Sequence, residues 1–198
     1  MSLKSLNIAL TALLLVVSGS AFANTFTHLI AKEAKELSTP SAKTKQFAPG
    51  TSYTLCFVPN GPACESLLVN IISNTRSSLL IQAYSFTSPP IAEAVVNAFK
   101  RGVDVQVIVD KSQMSEKYTS ATFLKNAGVP VVIDTKPAIA HNKVMIFDQQ
   151  SVFTGSFNFT RSAQNRNAEN GMVIYGDADV VKAYTNNWTT RHQLSSAY

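Results

Sequence analysis

Apolar residues along this chain recur in two rhythms, and the rhythms alternate. Between Pro62 and Arg76, residues Leu67, Leu68, Ile71 and Ile72 fall on one side of a helix. Leu79 to Phe86 is an apolar run of strand length. Ser88-Pro89-Pro90 offers a capping hydroxyl and first-turn prolines for a helix over Ile91–Arg101, and Gly102 ends it. Val103 to Val109 is apolar almost throughout, as a strand covered on both faces must be. A helix is predicted from about Tyr118 to Ala127, closed by Gly128, and a strand over Val129–Ile133. Two strands then follow with no helix between them, at 141–147 and 152–158. A helical or irregular segment runs to Asn167, a strand covers Gly171–Tyr175, and a last helix reaches from Asp177 to Arg191. This order predicts an α/β fold: a mixed β-sheet with helices on both faces, in a single domain over residues 51–198. No internal repeat of fixed period is present.

The first 50 residues do not share that pattern. Lys4, the apolar stretch Ile8–Val17 and the small residues before Ala23 predict a secretory signal over residues 1–23, cleaved after Ala23. The stretch is too short for a membrane span, which needs about 20 apolar residues. Residues 24–50 read as a polar leader arm with a short helical patch near Leu29–Leu37 and a solvated charged face. Its Lys43 and Lys45 could touch a polyanion. Export places the protein in the periplasm or outside the cell, so Cys56 and Cys64, separated by the turn-forming Pro59-Asn60-Gly61-Pro62, are expected to form a disulfide. Two free thiols are the other reading. Without neighbouring histidines the pair is not a zinc site.

Composition narrows the partners. The chain has 198 residues, 45% hydrophobic and 15% charged, which suits a packed core. Its formal charge of +5 favours a polyanionic partner, either nucleic acid or an anionic membrane surface. Glycine-rich phosphate loops, the His-Glu-x-x-His pattern and calcium-loop patterns are all missing from the sequence.

The chemistry concentrates in the strand pair. If Gln149 and Gln150 form a two-residue loop, Asp148 pairs with Ser151, Lys143 stands opposite Ser156, and His141 stands opposite Asn158. Alternation then puts these four polar side chains on one face, with Val144 and Ile146 pointing into a core. Gly155 permits a close approach to the backbone. A cation with neutral donors suits a phosphodiester and the charge that builds up on it during reaction. His141 can act as nucleophile or proton carrier. The sequence offers no acidic cluster for magnesium, which predicts metal-independent phosphoryl transfer with no cofactor. Asp148 lies on the other face and at the far end, as a turn-forming or structural carboxylate. Glu169 is the better partner for His141, provided the segment after Phe159 folds back.

His141-Asn142-Lys143 followed by Asp148 matches HxKxxxxD, Gly155-Ser156-Phe157-Asn158 matches the downstream GSxN, and Glu169 fits a later acidic position. By these motifs the chain resembles the phospholipase D superfamily. From about Tyr53 on it is similar in length and layout to small secreted bacterial endonucleases of that superfamily, the plasmid-borne EDTA-resistant kind. The resemblance implies a phosphohistidine formed on His141, phosphate held by Lys143 and Asn158 with help from Ser156, and Glu169 orienting the histidine. Asp148 belongs to the signature as a structural carboxylate. His28 and His192 lie outside the motif, His28 in the arm and His192 at an exposed helix end.

The leading expectation is therefore a nuclease of low sequence specificity that cuts DNA, with RNA as a second substrate. The alternatives are a phospholipase D-type hydrolase of membrane lipids and a non-catalytic nucleic-acid-binding protein. Only one HxKxxxxD copy is present, whereas larger members carry two, so a homodimer with a shared active site is expected. No stable membrane insertion of the mature chain is expected.

Overall fold

Eight strands pair into one mixed sheet, and their order explains the alternation of rhythms. The computed structural model describes Thr27, residues 42–116 and residues 119–198. The expected signal over 1–23, the patch Leu29–Leu37, His28 and the expected helix start at Tyr118 lie outside the described residues. Gln46–Tyr198 forms one compact unit, and Met1–Lys45 is a separate one.

In chain order the elements are β1 (Ser52–Val58), α1 (Cys64–Asn74), β2 (Ser78–Ala83), α2 (Pro89–Lys100) and β3 (Asp104–Asp110). A 3-10 turn (Lys111–Met114), α3 (Ser120–Asn126), β4 (Val131–Asp134), β5 (Lys143–Phe147) and β6 (Ser151–Gly155) follow. The chain closes with α4 (Arg161–Asn165), β7 (Glu169–Tyr175), α5 (Ala178–Gln193) and β8 (Ser196–Ala197). Across the sheet the order is β1-β7-β6-β5-β2-β3-β4-β8. Strands β2, β3 and β4 run parallel, and every other pairing is antiparallel.

Local chemistry sets the boundaries. The Ser88 hydroxyl accepts the Ile91 N–H at 3.4 Å ahead of the two prolines of α2. Gly102 and Gly128 close α2 and α3 in left-handed conformations, with φ of 89° at each. Asp177 caps α5 by accepting the Val180 N–H at 2.9 Å.

Helices cover both faces unequally. Leu68, Ile72, Ile91, Val95 and Leu124 from α1, α2 and α3 pack on Leu79, Ile81, Val107, Met145, Phe147 and Phe153 of the sheet. On the other face, among the described residues, α5 alone sets Val181 and Trp188 against Leu80, Ile108, Val144, Ile146 and Val152. Val144 and Ile146 thus point into a core, as the alternation predicted. The edge strand β1 leaves Tyr53, Leu55 and Phe57 exposed. Cys56 of β1 is disulfide-bonded to Cys64, the first residue of α1. Among the described residues no helix is long and apolar enough to cross a membrane.

Candidate active site

The β4–β5 connection delivers His141. In the sheet, β4 and β5 are separated by β3 and β2, so residues 135–142 must cross the ends of both strands. Each end holds the segment as it passes. Asp134, the last residue of β4, accepts the Lys136 N–H at 3.2 Å. Asp110, the last residue of β3 and only 2% exposed, accepts the Ala140 N–H at 2.7 Å with one oxygen and the Ser112 N–H at 2.9 Å with the other. Burial pushes the Asp110 carboxyl up, but those donors outweigh it and hold it below its ordinary value. Just past β2, the Tyr84 N–H donates to the Asn142 carbonyl at 2.8 Å.

This suspension leaves the His141 ring exposed while Lys143, the first residue of β5, is buried to 6% exposure. The Lys143 amine lies 3.0 Å from His141 Nδ1 and donates to the His141 carbonyl at 3.0 Å. It also lies 5.0 Å from the centre of the Tyr84 ring. That ring packs on the imidazole at 4.5 Å between centroids, tilted by 52°. Burial lowers the Lys143 amine below its usual value, and the Glu169 carboxylate offsets part of that fall.

Glu169 and Ser156 complete the same end of the sheet. β6 stops at Gly155, where an added Cβ would sit 2.4 Å from the Asn170 carbonyl oxygen. The approach permitted by Gly155 is therefore that of β7. Beyond it the Ser156 and Phe157 N–H groups both donate to the Asn170 carbonyl, at 3.0 and 3.2 Å. The Ser156 hydroxyl donates to Glu169 Oε2 at 2.5 Å and accepts the Asn170 N–H at 3.1 Å. Asn167 donates to the other Glu169 oxygen at 2.8 Å. Among the described residues the side-chain hydrogen-bonding partners of Glu169 are thus Ser156 and Asn167, and that of the imidazole is Lys143. Asn158 Oδ1 is buried with no hydrogen-bond partner among the described residues, an unmet acceptor in a polar site.

The hairpin register differs from the sequence expectation by one residue. Met145 pairs with Phe153, Ile146 with Val152 and Phe147 with Ser151, so Asp148 belongs to a three-residue loop and does not pair with Ser151. By that register Lys143 faces Gly155 rather than Ser156, and His141 does not stand opposite Asn158. Asp148 leaves the ladder because its carboxylate is claimed elsewhere. It accepts the N–H groups of Arg76, Ser77 and Ser78 and the Ser77 hydroxyl, at 2.7–3.1 Å. Asp148 and Gln149 turn the chain with φ of 52° and 54°, a conformation that Asp tolerates better than most residues. Ser156 and Glu169 come together through the break at Gly155, not through a ladder. Asp148 itself stands at the opposite end of β5 from Lys143.

Tyr84 and Asp110 are site-building residues that the sequence reading did not single out. Tyr84 was absorbed into an apolar run read as strand to Phe86, whereas β2 ends at Ala83. The polar residue closing the apolar run of β3 was the available signal for Asp110. His192 is half-buried and stacks on Trp188 at 4.8 Å, so it is not simply an exposed helix end.

Residues 68–191 match the family described as cardiolipin synthase, PLD-like domain. The chain is 38% identical over 169 residues to a phospholipase D of Rickettsia felis, covering 84% of this chain and 83% of that protein. It is 33% identical over 136 residues to the mitochondrial cardiolipin hydrolase of Mus musculus, covering 69% of this chain and 61% of that protein. Among solved structures it resembles Nuc, a phospholipase D family member from Salmonella typhimurium, with 34% identity and a TM-score of 0.70 over 75% of this chain and 98% of that one. NucT from Helicobacter pylori shares the fold, with a TM-score of 0.66 at 24% identity, over 75% of this chain and 99% of that one.

Proposed function

The chain belongs to the phospholipase D superfamily and is a hydrolase of phosphodiester bonds; on that premise we propose that it is a metal-independent endonuclease of low sequence specificity, acting on DNA and also on RNA. One observation carries the assignment of the centre: an exposed imidazole held against a buried amine, at the sheet end where Ser156 and Glu169 also meet. The choice of a nucleic-acid substrate is supported by charge. Lys111, Lys136, Arg161 and Arg166 are exposed on the connections that lead to and from the site, and the whole chain carries +5. Cations so placed bind phosphates without reading sequence.

The steps balance as a double displacement. A ring nitrogen of His141 attacks phosphorus, and the bond to the leaving oxygen breaks. The leaving oxygen takes a proton from a general acid. Water then attacks the phosphohistidine, its proton returns to that same group, and the phosphorus–nitrogen bond breaks to release His141. Lys143, Asn158 and Ser156 hold the phosphate oxygens. Once the Ser156 hydroxyl turns to phosphate, Glu169 is free to orient the imidazole. The general acid is His141 of the partner subunit in a two-fold homodimer, because the chain carries one such motif. The disulfide fits an oxidising compartment, which supports a periplasmic or secreted protein with its signal cleaved after Ala23.

A second reading is hydrolysis of membrane phospholipid, favoured by relatives named phospholipase D and cardiolipin hydrolase. The deciding experiment incubates purified protein with plasmid DNA in excess EDTA, beside vesicles containing cardiolipin. Nicked and shortened DNA with intact lipid is expected, and His141→Ala should bind DNA but not cut it. Intact DNA with lipid turnover reverses the ranking. His141→Ala activity within tenfold of wild type removes the nucleophile assignment.

A further inference from the structure

Tyr84 touches every part of the reacting pair. Its backbone N–H fixes the Asn142 carbonyl between His141 and Lys143 at 2.8 Å. Its ring packs against the imidazole at 4.5 Å and lies 5.0 Å from the Lys143 amine. The side chain is half-buried, and among the described residues its hydroxyl makes no hydrogen bond. The ring face is therefore the working part. We infer that Tyr84 is a positioning residue for phosphodiester cleavage: its ring holds the Lys143 ammonium and the His141 imidazole in one arrangement, and the negative face of the ring keeps the buried amine charged. This inference rests on the reading of His141 as nucleophile and Lys143 as phosphate ligand.

The physical need for such a residue is specific to this site. Lys143 is 6% exposed, so water does little to stabilise its charge. Three groups face the amine. His141 lies on its own segment, Glu169 contributes a carboxylate from β7, and Tyr84 contributes a π face at the end of β2. Glu169 is bonded to Ser156 and Asn167 and acts on the amine through charge alone. The Tyr84 ring is the contact that serves both reacting groups at once. An aromatic face attracts a cation more strongly where water is excluded. Small displacements of a reacting pair reduce rate far more than binding.

The test uses bis(p-nitrophenyl) phosphate in EDTA with wild type, His141→Ala, Tyr84→Phe and Tyr84→Leu. All four are checked for native circular dichroism and melting temperature. Tyr84→Phe keeps the face and should hold kcat within about threefold. Tyr84→Leu should lower kcat by about tenfold to a hundredfold with KM changed by less than about threefold. Its alkaline rate limb should fall by about one pH unit, as the ammonium loses its aromatic support. A role in packing alone lowers the melting temperature and leaves that limb in place. Tyr84→Leu with wild-type kcat and an unmoved limb overturns the inference, as does Tyr84→Phe losing activity, which needs no folded Leu variant. Activity in His141→Ala marks failure of the underlying reading instead.

Discussion

Asp148 and Lys143 sit at opposite ends of one strand and do opposite kinds of work. Burial pushes the Asp148 carboxyl up, but the donors from Ser77, Ser78 and Arg76 outweigh it and hold the group below its ordinary value of 3.8. Asp148→Ala leaves those donors without their anion and should cost about 1.5–3 kcal/mol in urea unfolding. Because the folded value is depressed, that contribution is complete above the ordinary carboxylate range and disappears as pH falls through the depressed value. Wild type and Asp148→Ala should therefore converge in stability below pH 3.8 and separate above it. Lys143 is lowered as well, but for an amine that favours the neutral form. Burial lowers its folded value, so activity that needs the ammonium should fail on the alkaline side below 10.5, the ordinary lysine value. A kcat/KM profile in EDTA reads this directly, and a flat profile up to that pH contradicts it.

At the scale of elements, β6 and β7 approach each other closely beside the site. A Cβ on Gly155 would meet the Asn170 carbonyl oxygen at 2.4 Å and Gly171 Cα at 2.8 Å, both backbone. Gly155→Ala should cost about 1–3 kcal/mol and pull Ser156 away from Glu169, lowering kcat together with stability. Unchanged kcat in a folded variant would separate the joint from the chemistry. Much of this architecture was legible in the sequence, because β2, β3, β5 and the helices α2 and α5 announce themselves by period and by cap. The hairpin register was not. The reason is that Asp148 answers to residues 76–78, far away in the chain, and no local pattern carries that tie. β1 was missed for a related reason: an edge strand with Tyr53, Leu55 and Phe57 exposed lacks an inside-out alternation that a core would impose. His141, Lys143, Ser156 and Glu169 were singled out by type and spacing. Tyr84 and Asp110 were not, since their importance arises only when the 135–142 crossing passes over the ends of β2 and β3.

For the whole molecule, the proposed two-fold dimer predicts sedimentation as a particle of about 43 kDa for the full chain of 21.4 kDa, and of about 38 kDa once residues 1–23 are removed. Full activity from a monomer would exclude a shared site. DNA affinity should fall steeply as salt rises, since phosphate contacts release counterions. The sheet order also has a bearing on how the chain is made. β1 emerges first among the described strands, yet its ladder partner β7 emerges roughly a hundred residues later. A chain delivered from its N-terminus therefore holds a strand whose backbone edge is unpaired, and whose Cys56 and Val58 lack their cover, through more than half of its synthesis. The cystine loop between Cys56 and Cys64 can close early, since it spans a sequence separation of 8. Truncated or stalled chains ending before Glu169 should thus be the species that proteases and chaperones see, with β1 as the segment they seize.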